Sequence, residues 1–182
     1  PILYPLDLEG ATPENYQELQ DNLLNQFGKL DGLVHNASIL GTQMPIEQYD
    51  IKLWYSTIQI NLNAPFMLTQ FLIPALLKSD DARIIFLSST VGREARAYWG
   101  AYSVSKFGIE GFAKTLSEEL EKTKISVNTV NPGKMRTEMR RTAYPAEDSS
   151  TVPLPEEKSQ AIVHLLSSSS PKINGEQLTI SD

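Results

Sequence analysis

R-I-I-F-L-S-S, residues 83–89, is a near-continuous apolar run closed by two hydroxyls. A strand with one wet face alternates apolar and polar residues. A run like this one reads as a strand of a parallel sheet, buried on both faces beneath helices. The flanking chain agrees. Residues 101–122 carry helical periodicity, and I-S-V-N-T-V, residues 125–130, is another strand. Upstream, residues 31–37 hold L-V between Asp31 and Ala37 and read as a buried strand. From Tyr49 to Leu77 the pattern is helical, with Pro65 and Pro74 marking breaks or starts. Strand, helix, strand, helix predicts an α/β fold, a doubly wound parallel sheet with helices on both faces.

The ends of the chain extend the pattern. Thr12, Pro13 and Glu14 make a helix start, a capping hydroxyl followed by proline at the first helical position. That helix runs to about Phe27, with Tyr16, Leu19, Leu23, Leu24 and Phe27 at helical spacing, and Gly28 stops it. I-L-Y-P-L-D, residues 2–7, reads as a short strand whose interior proline suits an edge or irregular position. Residues 132–154 are polar and rich in Pro, Ser and Thr, and predict a long lid-like loop. Residues 155–167 read as a helix, Ser167–Ser170 as a loop, and residues 176–181 as a last strand. Residues 1–182 form a single domain with no internal repeat.

Composition narrows the chemistry. A net charge of -6 argues against nucleic acid or an anionic membrane as partner. With no cysteine, disulfides, thiolate metal sites and a cysteine nucleophile are excluded, and a reducing cytoplasm is the compartment that fits. His35 and His164 are the only histidines, too few for a histidine-rich metal site, so no metal is expected. No apolar run approaches the ~18 residues of a membrane span. The chain opens on Pro1 rather than methionine, with no signal-like segment after it, so its start looks cut or processed.

Chemistry concentrates after the buried strand. Ser89 closes it, and ligands of open α/β sheets bind beyond the carboxyl ends of strands. Next comes W-G-A-Y-S-V-S-K-F-G, residues 99–108, with Tyr102 and Lys106 one helical turn apart. An ammonium near a phenol favours the phenolate, so the Tyr102 pKa is expected below ~10, suiting a general acid or base in carbonyl reduction or alcohol oxidation. By itself the pair reads equally as an aromatic on a helix flank beside a solvated lysine. Asn61, in an otherwise apolar helical stretch, either holds a water or caps a kink before Pro65. Asn131, Pro132 and Gly133 form a turn at the end of the strand at 125–130.

The order and spacing of these pieces resemble the short-chain dehydrogenase/reductase family over nearly the whole chain. Ser89 precedes Tyr102 by the family's usual interval, and Asn61-Leu62 matches the family's catalytic asparagine. L-D-G-L-V-H-N-A-S, residues 30–38, matches the segment that usually reads N-N-A-G, with His35 and Ser38 as departures. N-P-G-K-M-R-T, residues 131–137, matches P-G followed by a threonine that contacts the cofactor, and the phrasing looks most like the YciK-type oxidoreductases of bacteria. The resemblance implies a Rossmann-type sheet and hydride transfer between NAD or NADP and a small-molecule carbonyl or alcohol. It implies Tyr102 as acid/base, Lys106 as its tuner and ribose ligand, Ser89 on the substrate oxygen and Asn61 holding a relay water. Asp7, Leu8, Asn36, Ala37, Pro132, Gly133 and Thr137 would bind cofactor, and Trp99 would border the substrate. A homodimer or homotetramer built on the helices at 64–78 and 101–122 is implied too. A non-catalytic nucleotide sensor or scaffold on the same fold is the alternative.

Two further expectations follow. The family's glycine-rich phosphate turn is not found in this sequence, so a preceding segment of ~55–65 residues, two βα units, is expected, and Asp182 looks like an early end. The strand at 2–7, by resemblance the family's third, would lie roughly 14 Å from its nearest partner and stay unpaired. Arg93, Arg96, Arg136, Arg140 and Arg141 either favour an anionic substrate or an NADP phosphate, or balance Glu94, Glu138 and Glu147.

Overall fold

A computed structural model describes residues 2–180. In chain order its elements are α1 (Pro13–Phe27), β1 (Gly32–His35), α2 (Ile51–Ile58), a π-helical turn (Gln59–Asn63), α3 (Ala64–Leu76), β2 (Ala82–Leu87), α4 (Gly100–Glu119), β3 (Ile125–Asn131), α5 (Glu138–Ala143), α6 (Pro155–Leu166) and β4 (Gln177–Thr179). The four strands are all parallel and lie in the order β1-β2-β3-β4.

Every residue of β2 is buried, as its unbroken apolar run requires. Ala82, Ile84 and Phe86 point into one core with Leu72 and Leu76 of α3 and Ile109, Ala113 and Leu116 of α4. The intervening Ile85, with Leu87 and Val130, packs on the other face against Ile162, Leu165 and Leu166 of α6. Period-two side-chain alternation thus feeds two cores, and the sheet carries helices on both sides. α1 starts behind Thr12, whose N–H donates 2.9 Å to Asn15, and ends at Gly28 in the left-handed region (φ 75°).

Four expectations are corrected. Residues 2–7 form no strand: no described strand lies beside them to pair their backbone groups, and Pro5 has no N–H to offer. The strand expected at 31–37 is shorter and only its last residue, His35, is buried, because β1 is an edge strand among those described. The segment 132–154 is not one long loop, since α5 and a 3-10 turn at Ser149–Thr151 sit inside it. Pro74 lies inside α3 without ending it.

Pro65 does mark a start. It cannot donate to the carbonyl of Asn61 four residues back, and there the helix widens into its π turn. Neither proline interrupts the rod that runs from Ile51 to Leu76.

Candidate active site

Parallel strands end together, and their carboxyl ends define one edge of the molecule. β2 delivers Ser88 and Ser89, β3 delivers Asn131, Pro132 and Gly133, and α4 brings Tyr102 in its first turn. Ser88, Ser89, Trp99, Tyr102, Asn131, Pro132, Gly133 and Thr137 line one cavity of about 120 Å³. Its roof is α5 and the turn after it: Met139, Arg140, Ala143 and Tyr144.

Trp99 precedes α4 and leans on Tyr102 (ring centres 5.8 Å apart) and on Tyr144 (5.9 Å). Five of the predicted site residues beside Tyr102 (Ser89, Trp99, Pro132, Gly133, Thr137) are therefore brought together with it. The Thr137 hydroxyl accepts from the Arg140 N–H (3.2 Å) and caps α5. Gly133 takes a left-handed conformation (φ 73°), and its N–H donates to Asn131 Oδ1 (3.1 Å).

Lys106 lies behind Tyr102 rather than in the cavity. Its Nζ donates to the Leu87 carbonyl at 2.8 Å and stands 5.5 Å from the Tyr102 ring centre. Burial pushes the lysine down to about 8, with Glu110 one turn further on opposing that fall. Tyr102 itself is pushed up: burial dominates, the Ser89 side chain pulls the other way, and the neighbouring Tyr144 adds to the rise. The expected lowering of the phenol is thus overturned. The ammonium points at a backbone carbonyl beneath the ring rather than at the hydroxyl, so desolvation outweighs charge attraction.

Asn61 is buried in the π turn and clamps the backbone of Ile39 both ways. Its Oδ1 accepts from the Ile39 N–H and its Nδ2 donates to the Ile39 carbonyl, both at 2.8 Å. Nδ2 also reaches Ser105 (3.1 Å), whose hydroxyl donates to the Tyr102 carbonyl (2.7 Å). Asn61 therefore ties the segment after β1 to α4 without lining the cavity.

Asn36 and Ala37 are exposed at the carboxyl end of β1. Asp7 and Leu8 sit elsewhere, at the turn 8–10 that lies against the π turn. Asp7 accepts from the Glu9 N–H (3.0 Å), and the Leu8 carbonyl accepts from Gln59 (3.4 Å).

His35 is stacked on Phe86 (4.5 Å), hydrogen-bonded to Thr69 (2.8 Å) and pushed down to about 3 by burial. Standing where the resemblance expects an asparagine, it packs in the core beneath the site.

Several groups fit a polar ligand spread along these strand ends. The Ser88 and Ser38 hydroxyls are buried with no protein hydrogen-bond partner. Lys106 has three N–H donors and one described acceptor. No group of metal-ligating side chains occurs among the described residues.

Most of the singled-out arginines are spent on structure. Arg93 binds Glu110 (2.8 Å) and the Leu178 carbonyl (3.0 Å), Arg136 the carbonyls of Ser150 and Val152, Arg140 both oxygens of Glu147, and Arg141 Glu138. Tyr144 was missed from the sequence. The one available signal was an aromatic residue inside an otherwise polar stretch beside Arg140 and Arg141.

A model of the short chain dehydrogenase family matches residues 2–148. The uncharacterised oxidoreductase YciK of Escherichia coli K12 is 44% identical over 155 residues, covering 85% of this chain and 61% of its own length. The chain therefore spans about three-fifths of that relative. A structure from Pseudomonas syringae, assigned to the short chain dehydrogenases, superposes with a TM-score of 0.95 at 46% identity over 98% of this chain and 73% of that one. One from Shigella flexneri 2a, assigned likewise and complexed with NADP, gives a TM-score of 0.93 at 40% identity over 97% and 73%.

Proposed function

The chain belongs to the short chain dehydrogenase family, and on that premise we propose that it transfers hydride between a nicotinamide dinucleotide and a small-molecule carbonyl or alcohol. The observation that carries the reading is one cavity lined by both Ser89 and Tyr102 at the carboxyl ends of parallel strands. The relative solved with NADP supports NADP as the cofactor.

A bound nicotinamide supplies or accepts the hydride. In reduction, the Ser89 hydroxyl donates a hydrogen bond to the substrate oxygen and stabilises the charge that develops there. Tyr102 gives that oxygen its proton. A phenol held protonated by burial is in the right state to act as acid at neutral pH.

Lys106 supports Tyr102 from beneath and offers its remaining donors to the cofactor ribose. Asn61 ties the segment after β1 to α4 and holds a relay water behind Lys106. Asn36 and Ala37 take the ribose side. Pro132, Gly133 and Thr137 take the nicotinamide side, while Asp7 and Leu8 are assigned the adenine side. Trp99 walls the substrate.

Residues 1–182 act as one domain, with 132–154 as its lid. A homodimer or homotetramer is supported by apolar side chains left half-exposed on α3 and α4, Phe66, Val104 and Phe107. No helix of the described residues is long and apolar enough to cross a membrane. A cytoplasmic site of action fits the lack of cysteine.

The test is loss of reduced-nicotinamide absorbance with a carbonyl panel, using the natural polypeptide with any residues that flank 1–182 in place. Carbonyl-dependent oxidation of NADPH is expected. NADPH binding without turnover of any carbonyl would favour the nucleotide-sensing alternative.

A further inference from the structure

A second cavity, about 420 Å³, opens beside the first. Trp99, Ala143 and Tyr144 line both, so they form the shared wall. The outer cavity is completed by Gln43, Met44, Pro45, Ala97, Tyr98 and Arg96. Its charge is one-sided: Arg96 lines it and no carboxylate does.

Arg96 is set apart from the other arginines by what holds it. Arg83, Arg93, Arg140 and Arg141 each pair with a carboxylate, and Arg136 is bound by two backbone carbonyls. Arg96 pairs with no carboxylate among the described residues. The one described hydrogen bond of its guanidinium runs from Nη1 to the Tyr144 hydroxyl (2.8 Å). Its guanidinium otherwise lies over two rings, 5.9 Å from the centre of Trp99 and 5.7 Å from that of Tyr144. Four of its five donors are left over, in a fork that matches carboxylate or phosphate.

The turn that carries Arg96 is strained. Tyr98 is the one described non-glycine residue in the left-handed region (φ 71°), although its side chain is 61% exposed and packs into no core. A bulky residue held there is strained and persists where surroundings impose it. Here the Met44 N–H donates to the Tyr98 carbonyl (3.1 Å), tying the 96–99 turn to the opposite wall of the outer cavity. The same turn carries Arg96 beside Trp99, over whose ring the guanidinium lies.

We propose that Arg96, backed by Trp99 and Tyr144, is an anion-binding subsite, and that the substrate is a carbonyl or alcohol compound bearing a carboxylate or phosphate beyond a flat apolar segment. The reacting oxygen lies at Ser89 and Tyr102, the apolar segment runs along Trp99 and Tyr144, and the anion meets Arg96. This rests on the oxidoreductase reading for its chemistry, though the binding subsite is separable from it.

The probes are 4-carboxybenzaldehyde, its methyl ester and 4-formylphenyl phosphate, tested on the natural polypeptide with NADPH in place. Calorimetric titration and turnover are read together. Wild-type protein should bind and turn over one or both anionic aldehydes at least about tenfold better than the ester, the effect of one charge-assisted contact. Which anion gains more tells carboxylate from phosphate. Arg96→Met should abolish that ratio, Arg96→Lys should keep part of it, and raised salt should shrink it. Tyr144→Phe removes the hydrogen bond but not the cation and should retain the ratio.

A ratio near one in the wild type, or one unchanged by Arg96→Met, overturns the subsite, whatever the turnover. Collapse of the ratio in Tyr144→Phe as well overturns the role of the charge. Anion-selective binding without any turnover supports the subsite while contradicting the oxidoreductase reading.

Discussion

The ammonium of Lys106 stands 5.5 Å from the centre of the Tyr102 ring while its donated hydrogen bond goes to the Leu87 carbonyl. The two side chains therefore meet ring to cation, and the phenolic hydroxyl is left facing Ser89 and the cavity. Burial then decides the ionisation of both: Tyr102 is raised and Lys106 lowered to about 8. A phenol raised in this way stays protonated, the state a proton donor needs, and offers little phenolate to act as base near neutral pH. Carbonyl reduction should hold its rate through the neutral range, whereas alcohol oxidation should climb as pH rises into the alkaline range. Rate profiles in both directions check this, and oxidation that is fastest below neutrality would count against Tyr102 as the base.

Tyr102, Lys106 and Glu110 follow one another at four-residue steps on α4. Glu110 is buried, accepting from Arg93 (2.8 Å) and Thr129 (2.6 Å), and Arg93 goes on to Thr179 of β4 (2.9 Å). Removing one partner of such a pair strands a charge. Arg93→Met should cost about 3 kcal/mol, the low end for buried pairs because Arg93 keeps 20% of its side-chain surface in solvent. Arg93→Met with Glu110→Gln should recover part of it. Urea unfolding of the two singles and the double gives the coupling; strict additivity would contradict a shared network.

Gly92 lies under the same helix. A Cβ there would meet the Lys106 Cβ at 2.7 Å and its backbone at 3.0 Å. Gly92→Ala must push α4 outward at Lys106, costing about 1–3 kcal/mol and displacing Tyr102 with it. Turnover should fall more than tenfold in protein that remains folded by circular dichroism. Unchanged turnover would show that the turn at 90–92 does not set the position of α4.

His35 is held neutral, burial pushing its imidazole from the ordinary 6.5 down to about 3. Between those values the unfolded chain takes up a proton that the folded one refuses, so stability drops as pH falls from about 6.5 toward 3. His35→Gln should flatten that slope relative to wild type. Unfolding free energies at about pH 7 and pH 5 for both proteins isolate it, since their carboxylates are shared. Parallel slopes would mean that His35 is not the buried neutral group.

Much of this was legible in the sequence because the signals were local. The unbroken apolar run of β2, the Thr12-Pro13 start and Gly28 stop of α1, and the spacing of Ser89 to Tyr102 each report on a few adjacent residues. The strand expected at 2–7 depended on a partner at long range, and apolar pattern alone cannot supply one. α5 was hidden because six residues are too few to show a period, and its stability comes from the Thr137 cap and the Arg140–Glu147 pair. The Tyr102 pKa was misread because four-residue spacing gives the face of a helix and not where an ammonium points. Tyr144 reaches the site through the same unforeseen helix.

Tyr102 is the proton donor on which the proposed reaction depends. Tyr102→Phe keeps the ring against Trp99 and removes only the hydroxyl. In single-turnover oxidation of NADPH by a carbonyl substrate, with the natural polypeptide, the variant should be slower by at least ~10²-fold, with NADPH affinity within a few-fold of wild type. A variant that oxidises NADPH at the wild-type rate would contradict the assignment.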